Sequence, residues 1–250
     1  MIRPLTQCAC GDPKAPLSKC RWFQRMMRHA TSWVAVSLLL FAGCAEQPRV
    51  RRALAQPYQP ANLHRRSAVL PAHLRRVALL PLTAEEGATD AQAAVRDLEP
   101  ILLVELRKRA AFEVVPVSRE QLKLWSGRSN WRQEDPLPPD FLTRVQDETG
   151  SQGLMFAYLS AYRPYPPLAT GWRLSLIECA TGNAWWSVDE VFDAGSVEVI
   201  KSAQAYARGQ MNQPAIELDS TAVLSSPSRF AQYTAAAVVA TLPGRGPASK

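Results

Sequence analysis

The amino-acid sequence predicts an α/β fold: a single domain with a mixed β-sheet and helices packed against it, in the order β-α-β-α-α-β-β-β-α-α. Three observations predict it. Short β-branched and leucine-rich runs alternate with helically spaced apolar residues between positions 75 and 150. Three strand-like runs then follow in succession, the last two joined by Gly182-Asn183, a tight hairpin signal. Two helical patterns close the chain.

The domain is expected to begin at Arg75, where "RRVALLPL" reads as a buried strand closed by Pro81. Val95, Leu98, Leu102 and Leu106 recur at helical spacing, with Arg107, Lys108 and Arg109 in the last turn, where cations suit the helix dipole. Pro100 fits if Asp97 caps this helix and is costly if the helix starts at Thr89. "FEVVPV" (112–117) is the second strand. Ser118 and Gln121 then form a capping box for a helix through Leu122 and Trp125. After a proline-rich break, Asp140 opens a helix that stops at Gly150.

Strands are expected at 153–162, 171–179 and 184–193, with the proline-rich "RPYPPLAT" between the first two. Residues 197–211 read as a helix. Ser226-Pro227 caps a last helix with Phe230, Tyr233, Ala237 and Val238 on one face, inside a C-terminal extension from 212 to 250.

The N-terminal part has a different composition. Trp33 to Ala42 is a ten-residue apolar run, too short to span a bilayer, with Arg25 and Arg28 before it and small Ala42 and Gly43 before Cys44. This resembles a bacterial lipoprotein signal, whose box reads here Phe41-Ala42-Gly43-Cys44 with Phe in place of the usual Leu. The resemblance implies that residues 1–43 are removed and that Cys44 is acylated, palmitate being one such chain. Ala45 after the cysteine implies sorting to the outer membrane, periplasmic face. Met26 or Met27 would begin a compact leader. Three of the five cysteines, Cys8, Cys10 and Cys20, would then fall outside the protein, which excludes a disulfide framework.

Residues 44–74, arginine- and proline-rich, read as a tether between the anchor and a domain spanning 75–211. The net charge of +7 belongs to the leader and tether: seven arginines and no acid lie between 49 and 76, whereas from Val77 onward acids outnumber bases by 20 to 16. A high isoelectric point of this origin does not point to nucleic acid.

The chemistry of the domain is sparse. His29, His64 and His73 all lie in the leader or tether as read here, leaving no histidine for a nucleophile pair or a zinc site. No phosphate-cradling glycine motif is present, so neither a nucleotide nor another cofactor is expected. Asp189, Asp193 and Glu178 are the acids a carboxylate-dependent cell-wall enzyme would use, and solvent-facing strand acids are the simpler reading. Cys179 reads as an inert strand residue.

Aromatic residues stand out instead. Tyr162, Arg163, Tyr165 and Trp172 gather around the "YRPYPP" segment, and such residues carry interface energy. They are the candidate partner-binding residues, although the tryptophans of this region, Trp172, Trp185 and Trp186, equally suit a core.

"RRVALLPL", "LEPILLVELRKRAAFEVVPVS", "TGSQGLMFAYLSAYRP" and "LSLIECATGNAWWSVDEVF" together resemble the periplasmic lipoprotein group that includes penicillin-binding-protein activators, the amino-terminal domain of TolB and the curli secretion lipoprotein. The match covers about 75–193 and its motifs are strand and turn motifs. It implies an α/β domain that binds or scaffolds another envelope protein without catalysis. A subunit of a secretion or flagellar-type envelope complex is the related alternative. No pair of long amphipathic hairpins suggests a membrane barrel.

Overall fold

A computed structural model describes residues 58–210 and 221–245. Two compact units divide the chain, Met1–Ala53 and Leu54–Lys250, and everything described belongs to the second. The leader, Cys44 and the arginines at 49, 51 and 52 lie outside the described residues.

The elements are β1 (Leu63–Arg65), β2 (Val69–Leu70), β3 (Arg76–Leu79), β4 (Thr83–Ala84), α1 (Thr89–Arg109), β5 (Glu113–Pro116), α2 (Arg119–Ser126) and α3 (Phe141–Thr149). They continue as β6 (Gly153–Arg163), β7 (Ala169–Glu178), β8 (Ala184–Asp193), α4 (Val197–Gln210), a 3-10 turn at Ala222–Leu224, α5 (Pro227–Ala240) and β9 (Gly244–Arg245). Apart from the short β1, β2, β4 and β9, this is the predicted order. The main sheet runs β1-β8-β7-β6-β3-β5, with β4 also beside β6. β3 is parallel to β5 and β6, and the rest of the path is antiparallel.

Alternation along the strands explains the layering. Val77, Leu79, Met155, Ala157, Trp172, Leu174, Leu176, Trp186 and Val188 join one core with α1 and α5. Ala78, Leu80, Leu154, Phe156, Ile177 and Cys179 face the other way and pack with α2, α3 and Trp131. The sheet is therefore covered on both faces, more fully around β3 and β6 than toward β8. Local signals behave as their chemistry dictates. Ser118 and Gln121 make the reciprocal capping box of α2, Ser226 accepts from the amide of Arg229 ahead of Pro227, and Gly150 and Gly182 take positive φ values of 66° and 70°.

The structure decides one reading left open and corrects two others. α1 starts at Thr89, so Pro100 lies inside it. Ala91, Ala94, Val95, Leu98, Leu102 and Leu106 are all buried along this one helix. At about 1.5–3 kcal/mol for each large side chain, that stripe outweighs the roughly 3 kcal/mol cost of an internal proline. The proline itself is exposed.

The segment read as tether is also part of the fold from Tyr58 onward. Leu63, His64 and Arg65 pair antiparallel with Val188, Ser187 and Trp186 at the edge of the sheet, and Leu70 and Leu74 are buried. Its two histidines thus belong to the folded unit. Finally, α5 is no appendage: Phe230, Tyr233 and Val238 lie in the main core, and Thr234 and Thr241 accept the indole N–H groups of Trp172 and Trp186 at 2.9 and 3.0 Å.

Candidate partner-binding site

β6 and β7 form a long hairpin: Tyr162 and Arg163 end β6, Tyr165 lies in the tip at 164–168, and Trp172 lies on β7. Gly171 is required near its base, because a β-carbon there would lie 2.5 Å from the Ser160 hydroxyl and 2.8 Å from the Ala161 amide. This close approach coincides with the register shift between Leu159 and Ala161.

The structure separates the four candidates. Tyr165 stands at the tip, 69% exposed. The Nη2 of Arg163 donates to both carboxylate oxygens of Asp193, at 2.9 and 3.0 Å, and its Nε donates to the Pro167 carbonyl, so one guanidinium ties the tip to the end of β8. Asp193 also accepts from the Gly195 amide at 2.7 Å. That bond, with the Arg163 charge, holds its carboxyl below the usual aspartate range. Tyr162 packs at the margin of the core. It borders a cleft of about 360 Å³ between the start of α1 and β6, which Glu85, Asp90 and Ser160 also line. Burial, and then Asp97 and Asp90, push its phenol up.

Trp172 is not available to a partner. It is fully buried, and its indole N–H is spent on Thr234. The sequence held the signal: in "WRLSL", Trp172 alternates in phase with Leu174 and Leu176, which places all three on the core face.

The strand acids do not converge. Asp189 bonds the Nε of Arg173 at 2.8 Å, and Asp193 holds Arg163. Glu190 accepts from the Tyr58 hydroxyl at 2.7 Å and the Ala61 amide at 2.6 Å. Burial, reinforced by that carboxylate, pushes the Tyr58 phenol up to about 12. Glu178 sits at the far end of β7, where the Thr181 hydroxyl donates to it at 2.6 Å and His73 Nε2 lies 2.5 Å away. The Thr181 bond first, and then His73, lower its pKa. Burial raises the Cys179 thiol to about 11, so it is a poor nucleophile. Among the described residues no group of three or more His, Cys, Asp or Glu side chains could hold a metal ion, and no helix is long and apolar enough to cross a membrane.

One cluster was beyond sequence reasoning because its members are far apart in the chain. Arg132 and Arg173 lie 4.9 and 5.4 Å from the Tyr158 ring centroid, and the Tyr158 hydroxyl donates to Glu85. Arg173 also bonds Glu134 at 3.2 Å. The cluster clasps the connector between α2 and α3 against the sheet.

No protein-family model matches the chain, and no curated protein matches it significantly. Several solved structures do. A PelC dodecamer from Paraburkholderia phytofirmans is 14% identical with a TM-score of 0.42, covering 74% of this chain and 98% of that one. Lipoprotein GNA1162 from Neisseria meningitidis is 12% identical with a TM-score of 0.38, covering 56% and 99%. The LpoB C-terminal domain from Salmonella enterica is 15% identical with a TM-score of 0.30, covering 57% and 90%. One of the three is named a lipoprotein. At these identities and scores the likeness carries nothing about partner or activity.

Proposed function

We propose that the chain is a non-catalytic envelope lipoprotein, anchored through acylated Cys44 to the periplasmic face of the outer membrane, that binds another envelope protein through the tip of the β6–β7 hairpin. The observation that carries this reading is the placement of Tyr165. It is the most exposed aromatic residue of the meander, on a tip held by Arg163 and Asp193 at the end of β8. An aromatic anchor presented on a pre-ordered turn loses little entropy on binding. The strand acids support the non-catalytic part, since each is committed to a structural partner.

The test is site-specific photocrosslinking in intact cells from position 165, with exposed Thr143 on α3 as the control position. A discrete adduct from 165 alone supports the reading, and identical patterns from both positions overturn it. The anchor is tested by the intact mass of the membrane-extracted protein. Residues 44–250 plus acyl chains are expected, with both acylation and membrane retention lost in Cys44→Ala. An uncleaved or unacylated mass overturns that part.

A further inference from the structure

The end of the sheet opposite the hairpin tip is basic. β3, β6 and β8 start there and β1 and β7 finish there, as the registers of Arg65 with Trp186 and of Gly153 with Glu178 require. The arm from β1 to β3 crosses this end carrying Arg65, Arg66, Arg75 and Arg76. The last turn of α1 adds Arg107, Lys108 and Arg109, and β9 adds Arg245. Two of these side chains, Arg76 and Arg245, reach the turn before β5, with Arg75 and Arg109 close by in the chain. The Glu113 amide donates to the Arg75 carbonyl at 2.8 Å, and Arg76 Nε lies 3.2 Å from the Glu113 carboxylate. Arg245 donates to the Ala111 carbonyl at 2.7 Å and Arg109 to the Leu242 carbonyl at 2.9 Å.

Few acids oppose them. Glu113, Asp147 and Glu148 are exposed at this end, while buried Glu105 and Glu178 are engaged by Lys108 and His73. Among the described residues, Arg65, Arg75, Arg107, Arg109 and Arg245 have no carboxylate within ion-pair distance. Toward the hairpin end stand Glu85, Glu86, Asp90, Glu190 and Glu198, and the bases there are each met by an acid: Arg163 by Asp193, Arg132 by Glu85 at 3.8 Å, Arg173 by Asp189 and Glu134, and Lys201 beside Glu198. The domain is electrically polarised along its strands.

We propose that this basic end rests on anionic phospholipid headgroups, so that the hairpin tip points away from the membrane. This inference builds on the anchor at Cys44 proposed above. Fourteen residue steps separate Cys44 from Tyr58, a reach of at most about 50 Å, whereas the ten residues of β8 span roughly 33 Å. Tyr58 sits toward the hairpin end, beside Glu190 and Phe192, so the chain is long enough to run back along the domain and let either end face the lipid. Charge then decides. Each arginine held near an anionic leaflet favours its orientation by about fivefold, and the effect fades within a Debye length. The opposite orientation would press the acids of the hairpin end against the same surface.

The full mature protein, purified from membranes, is reconstituted into vesicles of phosphatidylcholine alone or of phosphatidylcholine with phosphatidylglycerol. A fluorophore is placed on Tyr165→Cys and a quencher on the lipid headgroups. Quenching is expected to be weaker on the anionic vesicles, and this difference should vanish in a variant carrying Arg65→Glu, Arg75→Glu and Arg107→Glu. Those three side chains make no hydrogen bond among the described residues, and circular dichroism checks that the variant is folded. A protein retained on both vesicles with equal quenching overturns the proposal while leaving the anchor intact. A protein that washes off neutral vesicles overturns the anchor, and the proposal with it, through retention rather than quenching.

Discussion

Arg163 and Asp193 close the β6–β7 hairpin onto the end of β8 through one guanidinium nitrogen shared between two carboxylate oxygens. Both side chains are nearly half exposed, so the pair adds about 0.5 kcal/mol or less to global stability. Its effect is positional. Asp193→Asn should leave the urea midpoint almost unchanged while speeding amide exchange at Tyr165 and Leu168, the two tip residues that carry a backbone N–H. Asp193 is depressed when folded, so its contribution is present above the unfolded aspartate range and is lost as pH falls through the lower folded value. Acidification of the wild type should reproduce the loosened tip. Unchanged exchange in Asp193→Asn would show that the tip is held without this pair.

Trp172 spans the contact between β7 and α5. Trp172→Ala should cost about 3–5 kcal/mol by urea denaturation, chiefly through the cavity it leaves in the core. A loss below about 1 kcal/mol would contradict its burial, and would return it to the candidate interface residues.

Glu178 fastens the arm to the sheet through His73. Its pKa is lowered by the Thr181 hydroxyl and then by His73. The stabilisation it supplies is therefore present above the unfolded glutamate range and lost as pH falls through the folded value. Glu178→Gln should lower stability at neutral pH and flatten the acid limb of the stability curve. A parallel curve shifted uniformly downward would mean that the glutamate's charge is not what matters.

Pro100 is an exposed interruption in the middle of α1. Pro100→Ala restores an N–H donor for the Arg96 carbonyl and should raise stability by about 1–3 kcal/mol, read as a higher melting temperature. A neutral or destabilising result would mean that the proline is itself needed for packing α1 on α5.

The major strands and helices were legible because each carries a period: two for β6, β7 and β8, and near 3.6 for α1. Ser118-Gln121 and Ser226-Pro227 were legible because caps are local chemistry. The arm was not. β1 has three residues, lies at an edge and carries His64 and Arg65, so no alternating apolar face marks it. Its partners, Val188 and Trp186, are more than 120 positions away. The start of α1 stayed open between Thr89 and Asp97 in the sequence because Pro100 is a strong local signal, whereas the buried stripe that overrides it is a property of the assembled core. For the candidate site, the phase of Trp172 was readable from alternation. The hold of Asp193 on Arg163 needed the register of three strands.

The arm also determines how the domain would bear a pull. The described residues begin at Tyr58, near the far end of β8, and β1 runs antiparallel to that strand. Tension arriving along the strand axis through the residues before Tyr58 loads several bonds together: the rungs of β1 on β8, the Tyr58 hydroxyl on Glu190, and the Tyr58 amide on Ser202. A short strand with little thermodynamic weight can thus act as a shear joint, yielding as a unit before force reaches the core.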